Sequence, residues 1–307
     1  MLPPISTNNS ITLNSQALML QGLVIAAYGK RYQVELPDKT KISCVTRGKK
    51  TDLACGDIVN IRLTDKREGV VESSEPRHSL LYRSNAFKSK MLAANVTQIV
   101  IVLATQPSFY EALLNRCLTA AEAAKIQTLI VLNKCDLAEA NDAKSKLKVY
   151  ENLGYQIVHL SAKEDVSPLL PYLNHHQSVL VGQSGMGKST IINALLPNEN
   201  VRTQEISNTL DSGKHTTTAA HLYHLDADSA LIDSPGLQEF GLNHLSHEDL
   251  ELAFIEFRPF LGHCRFSDCK HQHEPDCAVM HAVKTGKINA VRLAFYQALS
   301  TELSNTP

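Results

Sequence analysis

The sequence predicts a multidomain α/β protein of three modules: a small β-barrel, an α/β domain with a mostly parallel sheet, and a helical C-terminal module. Three observations predict it. Short β-type runs broken by turn residues fill the stretch from Leu18 to Glu75. Residues 91–245 alternate continuous apolar runs with amphipathic helical stretches, the pattern of a sheet covered on both faces. Beyond residue 245 two helical segments enclose a loop crowded with cysteine and histidine.

In chain order, residues 1–17 are polar, uncharged and carry Pro3 and Pro4, as expected of a mobile tail. The runs LMLQGLVIAAY, RYQVEL, KISCVT, DIVNIRL and GVVESSE then follow, separated by Gly and Asp, and suggest a closed five-stranded barrel. Pattern alone leaves an OB-type and an SH3-like barrel both open. The α/β stretch reads as strands QIVIVLA, TLIVLN, YQIVHLSA, SVLVGQ and ALIDSPG, with helices EALLNRCLTAAEAAK, DAKSKLKVYENL and KSTIINALL between them. HEDLELAFIEF and a segment around NAVRLAFYQALS supply the last helices. The expected boundaries are a tail at 1–17, the barrel at 18–82, the α/β domain at 83–243 and the C-terminal module at 244–307.

Composition narrows the classes. No apolar run approaches the ~20 residues of a membrane span, and the N-terminus lacks the features of a signal peptide. A reduced, cytoplasmic compartment is the expectation, and clustered Cys and His there read as a metal site rather than disulfides. Net charge is −1, against a uniformly basic nucleic-acid binder. The distribution is uneven, however. Residues 18–90 hold 14 Lys/Arg against 8 Asp/Glu and residues 91–245 hold 10 against 15, so a polyanion is sought first at the barrel.

The sharpest motif is GQSGMGKST, Gly182 to Thr190, between an apolar strand and a helix. This is the context of a phosphate-binding loop: backbone N–H groups and the helix N-terminus face phosphate oxygens. The loop comprises Gly182, Ser184, Gly185, Met186, Gly187, Lys188, Ser189 and Thr190. Lys188 would bridge the β- and γ-phosphates and Ser189 would hold Mg²⁺. Asn133, Lys134 and Asp136 of the NKCD turn close the strand TLIVL. A carboxylate there can accept from guanine N1–H and the 2-amino group, which adenine cannot offer. Ser161-Ala162-Lys163 ends another strand and would place a backbone N–H on guanine O6. Asp233 and Gly236 of DSPG read as the second switch, touching the Mg²⁺ shell and the γ-phosphate respectively. Thr217, in GKHTTT, is the chosen second Mg²⁺ ligand.

NKCD and SAK precede the phosphate loop here, whereas in ordinary small GTPases they follow it. Joining the old termini and reopening the chain elsewhere preserves a fold, so the domain reads as circularly permuted. Leu237 stands where a water-orienting glutamine is found in Ras-like enzymes, and His215 is the in-chain candidate for that role. Cys264, Cys269, His271 and Cys277 form C-x4-C-x-H-x5-C, a donor set suited to a closed, structural zinc site. His273 competes with His271 as the fourth ligand, and His263, directly beside Cys264, is less suited.

Taken in order, NKCD, SAK, GQSGMGKST, GKHTTT, DSPG and the Cys264–Cys277 cluster resemble the RsgA (YjeQ) family over roughly residues 18–300. The resemblance implies an N-terminal OB-type β-barrel, a circularly permuted P-loop GTPase domain and a C-terminal helical zinc-binding module. It implies GTP/GDP, Mg²⁺ and one Zn²⁺ as cofactors, and the 30S ribosomal subunit with its 16S rRNA as partner. A monomeric GTPase acting late in small-subunit maturation, stimulated by the subunit, is the expectation. The resemblance also implies a first-switch histidine matching His215. The alternative is an RNA-binding adaptor that uses GTP as a structural ligand without stimulated turnover.

Overall fold

The computed structural model describes residues 19–47, 53–85, 88–197, 220–233, 242 and 244–305. The first module consists of β1 (Met19–Tyr28), β2 (Arg31–Glu35), β3 (Lys41–Thr46), β4 (Ile58–Asp65) and β5 (Glu68–Ser74). Their order is β1-β2-β3-β5-β4, with β4 returning to pair with β1 and close the barrel. All these pairings are antiparallel except β3–β5, which is parallel. That connectivity is the OB topology, and it decides between the two barrels the strand pattern allows. Alternation in the strands puts Val24, Tyr32, Val34, Ile42, Cys44, Val59, Ile61 and Val71 into a separate inner core.

A hairpin of β6 (Leu80–Asn85) and β7 (Lys88–Ala94) follows, and the expected boundary between residues 82 and 83 lies inside β6. Asp57 at the barrel's base accepts from Arg77 Nε at 2.7 Å and from Nη2 at 2.8 Å, tying barrel to hairpin.

The α/β domain contains β8 (Gln98–Ala104), α1 (Glu111–Ala123), β9 (Gln127–Asn133), α2 (Ala140–Asn152), β10 (Gln156–His159), α3 (Leu170–Leu173), β11 (Gln177–Val181), α4 (Lys188–Leu195), β12 (His221–His224) and β13 (Ala230–Asp233). The sheet order is β10-β9-β8-β11-β13-β12, parallel except for β12. Every residue of β8 is buried, as a central parallel strand requires. β12 is a strand that periodicity misses, because its four residues HLYH carry no apolar alternation. Its free edge meets the barrel at Ala26↔His221. There Tyr28 Oη lies 2.7 Å from His221 Nε2, and Glu35 Oε1 lies 2.7 Å from His224 Nε2 and 3.0 Å from Lys39 Nζ.

The C-terminal module is built from α5 (His247–Ala253), α6 (Ala278–Lys284) and α7 (Ala290–Ser304). Ser246 caps α5 in a capping box with Asp249. The helix expected over HEDLELAFIEF stops at Ala253. Phe254 turns to extended backbone, and it and Phe257 pack within 5.0–5.4 Å of one another and of the Tyr296 ring. The module is fastened to α1 and α2 by a buried polar cluster. Arg292, 1% exposed, donates to Glu256 Oε1 at 2.5 Å and to Asn115 Oδ1, while Asn115 donates to Tyr150 Oη at 2.8 Å. The Arg292 guanidinium also lies 4.5 Å from the Phe254 ring centre. Arg116–Glu302 and Arg258–Glu122 add exposed pairs along the same seam.

Candidate nucleotide site and metal cluster

Three motifs far apart in sequence meet at one side chain. Asn133 ends β9 and is 2% exposed. Its amide nitrogen donates to the Met186 carbonyl in the phosphate loop at 2.9 Å. Its amide oxygen accepts from the N–H of Lys134 at 2.8 Å and of Ala162 at 2.9 Å. Asn133 therefore joins GQSGMGKST, NKCD and SAK, and a buried amide with three partners is held rigidly. Gly187 sits against it at φ +91°, where a Cβ would collide with the Asn133 amide nitrogen. Only glycine fits that approach.

The NKCD turn reverses at Lys134, whose φ is +61°. Cys135 N–H then donates to Leu160 O at 3.1 Å, laying NKCD against the start of SAK. Asp136 is exposed, and a hydrogen bond from Ser161 with the nearby Lys163 and Lys134 charges holds its carboxyl below the usual range. An ionised acceptor stands at the mouth of the site. Glu164 N–H and Asp165 N–H donate to Ser161 O at 2.9 Å, which folds SAK into a tight turn presenting the Ala162 and Lys163 backbone.

The phosphate loop leaves β11 and enters α4, whose first residue is Lys188. Lys188 Nζ donates to Gly182 O at 2.6 Å and Gln183 O at 2.8 Å, curling back over the loop. Burial pushes its pKa down, partly offset by the Asp233 charge, while burial pushes Asp233 up against the pull of Lys188. Ser184, Gly185 and Thr190 are exposed, Ser189 half-buried, and Met186 fully buried as an apolar anchor beneath the loop. Asp233 closes β13 beside Leu180 of β11, which brings a carboxylate close enough to Lys188, next to Ser189 in the chain, for the two charges to act on each other. A hydroxyl and a carboxylate are hard oxygen donors, and the pair fits Mg²⁺. His215, Thr217, Gly236 and Leu237 lie outside the described residues.

Cys264, Cys269, His271 and Cys277 bring their donor atoms within 4.8 Å of one another. His271 Nδ1 is 3.6, 3.5 and 3.3 Å from the sulfurs of Cys264, Cys269 and Cys277, and Cys264 Sγ is 3.9 Å from Cys277 Sγ. Zn–S bonds of about 2.3 Å at tetrahedral angles separate sulfurs by about 3.8 Å, so the cluster fits that ion without rearrangement. Burial pushes the Cys269 thiol up to about 12 and raises that of Cys277, so ionised thiolates here call for a cation. Burial also lowers the His271 pKa, favouring the neutral imidazole that a metal binds. His263 and His273 are exposed and His271 is buried, which favours His271 for the fourth position. Behind it, Glu251 Oε1 lies 3.6 Å from His271 Nε2 and accepts from Tyr296 Oη at 3.4 Å. Glu274 closes the loop by accepting from the N–H groups of Lys270, Gln272 and His273. Burial raises its pKa, but these bonds outweigh it and bring it down to about 2.

Known proteins share this arrangement. The family model described as RsgA GTPase matches residues 74–243. The small ribosomal subunit biogenesis GTPase RsgA of Nitrosospira multiformis is 50% identical over 286 residues, 93% of this chain and 91% of that protein. The protein of the same name from Neisseria meningitidis serogroup B is 51% identical over 280 residues, covering 91% of each. Among solved structures, YjeQ from Thermotoga maritima superposes with a TM-score of 0.75 at 30% identity, covering 94% of this chain and 100% of its own. YloQ, described as a circularly permuted GTPase, gives 0.71 at 27% identity over 96% and 98%. With about half its residues shared along nine tenths of its length, the chain belongs to the RsgA GTPase family.

Proposed function

We propose that this protein hydrolyses GTP to GDP and phosphate as a cytoplasmic, monomeric factor in late maturation of the 30S ribosomal subunit, bound to its 16S rRNA. The observation that carries the nucleotide half is Asn133, which holds the guanine motifs and the phosphate loop in one rigid frame. Asp136 reads the guanine edge, Lys134 lies across the base, and Ser161, Ala162 and Lys163 close over O6. Gly182 to Thr190 wrap the phosphates, with Lys188 swinging from its carbonyl contacts to the β- and γ-oxygens. Ser189 and Thr217 hold Mg²⁺, Asp233 supports its water shell, Gly236 senses the γ-phosphate and His215 orients water. The three thiolates and His271 hold one Zn²⁺ that supplies folding energy to a small module.

The relatives' names supply the ribosomal half. Exposed Lys30, Arg31, Lys41, Lys66 and Arg67 on the barrel support contact with a polyanion. Steady-state GTP hydrolysis alone and with 30S subunits, 50S subunits or bulk RNA tests the reading. A rise of orders of magnitude with 30S alone is expected. A low rate unchanged by every addition would instead favour the adaptor, the reading that Leu237 keeps alive.

A further inference from the structure

One wall of the nucleotide site belongs to no motif. Residues 105–110 link β8 to α1 and touch both halves of the site. Lys134 Nζ donates to the Gln106 carbonyl oxygen at 2.5 Å. On the phosphate side, a Cβ placed on Gly185 would lie 3.1 Å from Pro107 Cδ, and the Tyr110 N–H donates to Gln183 Oε1 at 3.0 Å. The segment is itself fixed at two points. Phe109 is buried at 6% exposure, and the Gln106 amide donates to Glu139 Oε1 at 2.8 Å, just ahead of α2. Beside it, the Thr105 hydroxyl is buried with no hydrogen-bond partner among the described residues.

Lysine carries a flexible four-carbon stem whose ordering costs rotamer entropy whenever it binds in one geometry. A fixed carbonyl that receives the ammonium removes part of that cost before the ligand arrives. We propose that residues 105–110 form a third wall of the nucleotide site, in which Gln106, braced by Glu139, is a positioning residue that sets Lys134 across the purine ring. This rests on the guanine reading of the NKCD turn. The contact lies on the base side, so it acts equally on GDP and GTP and leaves the hydrolytic step alone.

The test is the dissociation rate of a fluorescent GDP and of a non-hydrolysable fluorescent GTP analogue from the full-length protein. Wild type is compared with Gln106→Glu, Glu139→Gln and the double variant. Gln106→Glu sets two carboxylates face to face and should speed release of both nucleotides by about two- to fivefold, the scale of one exposed hydrogen bond lost plus screened like-charge repulsion. The double variant exchanges donor and acceptor, remakes the bond and should return release to the wild-type rate. That rescue is a readout that general loosening of the fold does not produce. Unchanged release in Gln106→Glu, or a double variant as fast as Gln106→Glu, overturns the proposal. So does a loss of single-turnover hydrolysis without faster release, which would put the segment's action on the phosphates. Asp136→Asn measured with xanthosine diphosphate is the separate control. If it gains no affinity for that nucleotide, the guanine reading itself fails, whatever Gln106 does.

Discussion

Replacing Asn133 by alanine removes the node at which the three nucleotide motifs meet. The substitution deletes one donor and one doubly used acceptor, three hydrogen bonds of 2.8–2.9 Å at a side chain that is 2% exposed. At about 1 kcal/mol net for each bond, the frame loses about 3 kcal/mol. If all of that were expressed in binding, affinity would fall somewhat more than 100-fold, since each 1.4 kcal/mol is about tenfold. The bonds exist before nucleotide arrives, so the loss divides between a lower melting temperature of the free protein and weaker binding. Calorimetric titration with GDP and with a non-hydrolysable GTP analogue, beside thermal melting without nucleotide, measures both parts. The expected result is a drop in affinity of about tenfold or more, by the same factor for both ligands, because the node sits behind the base and the loop backbone. Binding within about threefold of wild type, with an unchanged melting temperature, would refute the assignment of Asn133 as the strut of the site.

The buried cluster at the C-terminal seam gives a second expectation. Arg292→Met leaves Glu256 as an uncompensated buried charge and should cost about 3–5 kcal/mol in denaturant unfolding, and Arg292→Met with Glu256→Gln should recover much of it. A third concerns pH at the barrel's contact with β12. Burial pushes Glu35 up, but hydrogen bonds and charge from Lys39 and His224 outweigh it and leave its pKa below the ordinary glutamate value of about 4.5. A depressed carboxylate stabilises above its unfolded pKa and loses that contribution as pH falls through the folded one. Protection factors along β1 and β12, exchange relative to the intrinsic rate at each pH, should therefore fall in wild type once pH drops below about 4.5, and that fall should be absent in Glu35→Gln.

Local pattern made the elements legible where alternation or continuous burial was strong, as in β1 to β5 and the fully buried β8. It left the barrel type open because that depends on non-local pairing: β3 against β5 and β4 back onto β1. Strand β12 was hidden because its residues, His221 to His224, are strand-forming only through the neighbours β13 and β1 that supply their hydrogen bonds. Helix α5 is shorter than its sequence period for a related reason. Phe254 and Phe257 fit a helical period, yet the Tyr296 and His271 rings draw them into a turn. At the site, motif chemistry named Asn133 but not its work, since its partners lie 29 and 53 residues away. Gln106 carried no signal at all: its contribution to Lys134 is a backbone carbonyl, which any residue would supply.

The same pairings set how the flanking modules are attached, and the two attachments differ in kind. The barrel joins the β12 edge, one end of the parallel sheet, through one strand pairing and the Tyr28, Glu35 and histidine contacts there, while its buried Ile25 and Cys55 share the apolar core of the α/β domain. The C-terminal module joins α1 and α2, which lie beside β8, β9 and β10 toward the other end, through an arginine that is 1% exposed. The C-terminal joint is on the guanine-motif side, which keeps its shape whichever nucleotide is bound if Asp136 and Asn133 act as proposed. The barrel joint is at the strand that directly follows the GKHTTT segment. Covalent order alone, with DSPG leading into the C-terminal module, points to that module as the one the nucleotide moves. Packing limits that movement, because the C-terminal module is also held by α1 and α2 through the Arg292 cluster, whatever the segment that leads into it does.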